Sequence, residues 1–198
     1  MANLCNTVYK VTGKAEHVER LANTMKELEA MPNPGLVNNG FGSTWLGNLI
    51  AKEGGDPDTI SCRGEWMFDK PDQPIVDGVL SFTVVSAWSE MSEWRHFVEQ
   101  RFDVKIFFLS EEFGSLVFET NDSGHCFFED EYYFSTDFVE SSESDYYQSL
   151  EALIASVQEV TGATGLSSFE DCKLALNEYQ RNHDSFEYFL IQLSIVEN

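Results

Sequence analysis

A chain of 198 residues with 42% hydrophobic and 14% aromatic residues against 23% charged has the composition of a folded protein and not of a disordered acidic tail. Its 34 Asp and Glu against 12 Lys and Arg give a formal charge of −22, which repels nucleic acid and anionic membranes and argues against direct binding to either. A chain of this length supports one domain, or a domain with an appendage, burying roughly 70% of its unfolded surface.

The stretch NTVYKVTG alternates Val8 and Lys10 against Tyr9 and Val11 before Gly13, the pattern of a first strand. Val18, Leu21, Ala22, Met25 and Leu28 then recur at three and four residues, which predicts a helix over 14–30, stopped by Pro32 and Pro34. Residues 32–58 are rich in Gly, Pro and Asn and read as a loop-rich insertion, with a short helical turn after Ser43. ISCRGEWMF and VDGVLSFTVVSAW predict two strands joined through DKPDQP. Met91, Trp94, Phe97, Val98 and Phe102 share one face of a second helix over 89–102. VKIFFLS and SLVFET form a hairpin, and CFFEDEYYFST continues the meander after NDSG.

From residue 136 the character changes to a helical extension. SDYYQSLEALIASVQEV carries a stripe of Tyr146, Leu150, Leu153, Ile154 and Val157, and Ser167 with Glu170 makes a capping box for a further helix. FEYFLIQLSIV closes the chain as a strand. The expected fold is α+β: a ferredoxin-like antiparallel sheet over 1–135 with helices on one face, then a C-terminal helical extension over 136–198 with its closing strand.

MANLCNTVYKVTG followed by an amphipathic helix, and later LSFTVVSAWSEMSEWRHFVEQRFDVKIFFLSEEFGSLVFET, resemble the YubB ferredoxin-like family of phages, plasmids and other mobile elements. The resemblance covers about residues 1–135 and rests on Cys5-Asn6, the strand end from Phe82 to Trp88 and the turn from Glu112 to Gly114. Ser89 and Glu90 stand where the family carries a proline pair. The resemblance implies a fold and a genetic setting; it implies no enzymatic activity, and the family name describes a topology without an iron–sulfur cluster.

No cofactor is expected. Cys5, Cys62, Cys126 and Cys172 are far apart and lack cluster or zinc spacing, and the N-terminus lacks an apolar signal segment, so they are read as free thiols in a cytoplasmic protein. The four histidines accompany no nucleophile motif. Glu119, Asn121, Ser123, Gly124 and Asp130 fall in the register of a calcium loop, but Asp is missing at its first position and Glu at its twelfth, so NDSG reads as a turn. Gly40, Gly42 and Gly47 precede a helical turn without the lysine of a phosphate-binding loop.

The strongest feature is charge segregation. From Ile106 to Cys172 there are 15 Asp or Glu and no Lys or Arg. Within HCFFEDEYYFSTDFVESSESDYY, carboxylates alternate with aromatics, which suits an edge strand protected by charge. The same pattern suits a recognition surface built from Glu129, Asp130, Glu131, Tyr132, Tyr133, Asp137, Glu140, Glu143 and Asp145, with the tyrosines as anchors. Glu129 and Glu131 on one strand face would stand about 6.7 Å apart, near the spacing of neighbouring phosphates. The expected function is non-enzymatic binding of a protein with a basic surface. The alternatives are a nucleic-acid mimic that inhibits a DNA-binding host defence protein, and a metal-dependent carboxylate hydrolase.

Overall fold

A computed structural model describes residues 3–31, 36–37, 41–138 and 141–197. The chain divides into two compact units, Met1–Ser123 with Val196–Asn198, and Gly124–Ile195. It is an α+β protein with five helices, a seven-stranded sheet and a three-stranded antiparallel sheet among the described residues.

The first unit runs β1 (Leu4–Gly13), α1 (Ala15–Glu29), α2 (Leu46–Lys52), β2 (Gly64–Phe68), β3 (Ile75–Val76), β4 (Val79–Ala87), α3 (Ser92–Phe102), β5 (Val104–Glu112), a 3₁₀ turn and β6 (Val117–Thr120). The second holds β7 (Tyr132–Phe138), β8 (Ser141–Tyr147), α4 (Leu150–Thr161), α5 (Phe169–Asn182) and β9 (Glu187–Gln192), before β10 (Ser194–Ile195). The larger sheet has the order β10-β6-β5-β1-β4-β2, with β3 also on β4. The pairings of β1 with β4 and β5, of β2 with β4 and of β5 with β6 are all antiparallel.

Alternation along β1 turns Tyr9 and Val11 to the buried face, where they meet Phe82 and Leu80 of β4 and Phe108 and Ile106 of β5 in register. The expected stripes of α1 and α3 cover this face: Leu21, Met25 and Leu28 from one, Trp94, Val98 and Phe102 from the other. Each such side chain contributes about 1.5 to 3 kcal/mol on leaving water. Trp94 is central. Its ring lies 5.9 Å from Tyr9 and 6.2 Å from Phe82, and its Nε1 donates to Leu46 O at 3.2 Å, which ties α2 to α3.

The second unit has a core of its own, in which Tyr132 and Phe134 of β7 pack with Leu153 and Val157 of α4, Cys172 and Leu176 of α5, and Leu190 of β9. Three sequence expectations change here: the place of β7, the structure of residues 141–147 and the cap of α5. β7 does not continue the first meander; it is the central strand of the order β8-β7-β9, so the protected edge strand is not this one. The expected boundary at residue 135 falls inside it. SDYYQSLEALIASVQEV, expected to be helical from its start, is strand as far as Tyr147: residues 141–147 form β8, Tyr146 lies on that strand, and the helix begins at Leu150. Ser, Glu and Asp have little strand preference of their own, and seven consecutive partners on β7 supply what propensity does not. The cap of α5 is Ser168 and not Ser167: its Oγ accepts the Asp171 N–H at 3.1 Å, while Asp171 Oδ2 accepts from Ser167 N and Oγ at 3.0 and 2.9 Å.

Candidate functional site

The register of the small sheet sorts the acidic stretch into two faces. Tyr132, Phe134 and Thr136 lie opposite Tyr147, Asp145 and Glu143 of β8, so these six share the face that α4 and α5 cover. Tyr133, Ser135 and Asp137 lie opposite Tyr146, Ser144 and Ser142 on the other face. β8 is the edge, and Ser142–Tyr146 are all exposed. Glu143 and Asp145 therefore project beside a groove of about 530 Å³ between β8 and α4, which Phe134, Thr136, Tyr147 and Ser156 also line. Tyr147 OH donates to Ser156 Oγ at 2.8 Å across it. Asp145 Oδ1 accepts the Tyr146 N–H at 2.9 Å, and neither Asp145 nor Glu143 stands in an ion pair among the described residues.

The nine expected residues do not form one surface row. Residues 129–131 lie outside the strand, so the expected spacing of Glu129 and Glu131 along one strand face does not occur. Glu129 is exposed and accepts from Gln148 Nε2 at 3.1 Å. Asp130 and Glu131 are half-buried, and the Glu131 backbone joins neighbours by donating to Tyr147 O at 2.9 Å and accepting from Leu193 N at 2.8 Å. Tyr132 and Tyr133 are 6% and 8% exposed and thus are core residues rather than surface anchors. Burial, and then the Glu131 carboxylate, raise the Tyr132 phenol above its ordinary value. Asp137 is exposed on the opposite face from Glu143 and Asp145, and Glu140 lies outside the described residues. Only Glu143 and Asp145 stand two residues apart on one strand face, about 6.7 Å along the chain.

The weaker motifs resolve into packing. Asn121, third in the calcium-loop register, accepts the Phe108 N–H through Oδ1 and donates to Ile106 O through Nδ2, both at 2.9 Å. Among the described residues no group of three or more His, Cys, Asp or Glu is placed to hold a metal ion. Gly47 sits under the Trp45 ring, where an added Cβ would come within 2.2 Å of a ring carbon, so close packing explains that glycine. Gly40 lies outside the described residues. The four cysteines are free; burial, and then Asp58, push the Cys62 thiol up to about 11, and only Cys126 is exposed.

Sequence reading missed a buried charged cluster in the first unit. Glu90 Oε1 accepts from Tyr9 OH at 2.6 Å and from Arg95 Nε at 3.2 Å, and Arg95 Nη1 donates to Glu99 Oε2 at 3.5 Å. The guanidinium also lies 5.1 Å from the centre of the Phe108 ring. Burial, and then Glu90, push the Tyr9 phenol well above its usual range; burial likewise lifts the Glu90 carboxyl, against the opposing pull of Tyr9 and Arg95. The signal was present in the spacing: Arg95 follows Met91 by four residues and precedes Val98 by three, on the buried side of the helical stripe. This arrangement fixes α3 on the sheet. Compared with known protein families, with curated proteins and with solved structures, the chain matches none.

Proposed function

We propose that this is a non-enzymatic binding protein whose second unit offers an acidic sheet edge to a protein with a basic surface. The observation that carries the reading is the exposure of Glu143 and Asp145 on an edge strand, within a unit holding 14 Asp and Glu against Lys173 and Arg181 alone. Long-range attraction from such a unit raises the encounter rate with cationic partners, and the carboxylates near the groove orient them. A ferredoxin-like sandwich of the kind the YubB resemblance implies is part of the same proposal. The order β5-β1-β4-β2, with α1 between β1 and β2 and α3 between β4 and β5, supports it. The spacing of Glu143 and Asp145 favours a second reading, in which the pair imitates neighbouring phosphates and the partner is a DNA-binding protein.

The test is capture from nuclease-treated bacterial lysate with three forms of the protein. One is unchanged, one carries Glu143→Gln with Asp145→Asn, and one carries two neutralised carboxylates in the first unit, Glu19→Gln with Asp72→Asn. A basic protein held by the unchanged and control forms, and lost by the first variant, supports the reading. Equal capture by all three overturns it. Competition by duplex DNA for the captured protein would select mimicry.

A further inference from the structure

We infer that the outer edge of β8 takes an extended basic segment as an added strand, with Lys or Arg at alternate positions; this rests on the acidic-edge reading above and specifies its partner. The docking feature is the backbone. β8 pairs with β7 along seven residues, and among the described residues no strand pairs with its other side. Alternate residues of an edge strand turn N–H and C=O groups outward, where an incoming strand adds a ladder of hydrogen bonds.

Charge complementarity selects the occupant. Side chains of an added strand alternate between the two faces of the sheet with the same period as β8. Every second residue therefore falls on the face of Glu143 and Asp145 and enters the groove lined by Thr136, Tyr147 and Ser156. Two cations there meet two carboxylates, neither of them in an ion pair among the described residues. The intervening residues fall on the face of Ser142, Ser144 and Tyr146, where small polar or apolar side chains fit. The Asp145 carboxylate, which accepts the Tyr146 N–H, turns to the incoming cation as the segment docks.

Four capped peptides of equal charge, each long enough to match β8, test this by calorimetric titration against the whole protein at low salt. The first alternates Lys and Thr, and the second has the same residues with the lysines in one block. The third and fourth are the alternating peptide N-methylated at its lysines or at its threonines. All N–H groups facing β8 come from only one of these two sets. Strand addition predicts that the alternating peptide binds about tenfold or more tightly than the block peptide, and that one N-methylated form loses that advantage while the other keeps it. Equal binding of all four, reduced by Glu143→Gln with Asp145→Asn, overturns strand addition and leaves the acidic-surface reading standing. Binding by none overturns both.

Discussion

Arg95 is a costly side chain to remove. Its guanidinium is 3% exposed and its partner Glu90 7%, so truncation leaves a carboxylate buried without its charge partner. Arg95→Ala should lower the unfolding free energy by about 3 to 5 kcal/mol in urea titration. Glu90 also sets a pH dependence of unusual sign for a carboxyl. Burial lifts its folded pKa above the ordinary 4.5, so the unfolded chain releases this proton first as pH rises. The stability contributed by neutral Glu90 is therefore complete below the unfolded value and lost through the raised folded value. The stability of the natural protein relative to Glu90→Gln should fall as pH rises from about 4.5, as read by urea midpoints across a pH series. A difference that stays flat or grows contradicts the burial of this group.

At the scale of elements, α4 ends where Gly162 takes φ 69, with its N–H donated to Gln158 O at 2.8 Å and open space where a Cβ would sit. Gly162→Ala should cost about 1 kcal/mol in thermal or urea unfolding, from backbone conformation alone. The elements most legible in the sequence were those whose pattern decides their burial. The stripe of α1 reaches the core complete, since Val18, Leu21, Ala22, Met25 and Leu28 are all buried. The hairpin of β5 and β6 follows from two apolar runs flanking a turn. β8 was illegible because SSESDYY contains no apolar run and becomes a strand only by pairing with β7. The site was half legible for the same reason. Charge segregation located the acidic stretch, but without the register the sequence placed Tyr132 and Tyr133 on a surface they do not reach.

Across the whole molecule the charge of −22 has to be held on a folded surface at all times, whether or not a partner is present. Self-repulsion at this charge disfavours the compact state, and salt screens it over a Debye length of about 10 Å at 0.1 M. The melting temperature should therefore rise as salt increases from about 0.02 to 0.3 M, while binding of basic partners weakens over the same range. Differential scanning calorimetry checks the first and titration the second. A melting temperature that falls with salt would mean that attractive ion pairs, such as those of Glu53 with Arg20 and Arg101, outweigh the repulsion.

The proposed binding of basic segments by the second unit is at β8 and not by diffuse attraction. Its most direct test is the backbone amide NMR spectrum of the whole protein titrated with the alternating Lys–Thr peptide. Shifts concentrated on Ser142–Tyr146 and on Ser156 across the groove, saturating together, are the predicted result. Shifts scattered over acidic positions of both units, or confined to the first, would contradict it.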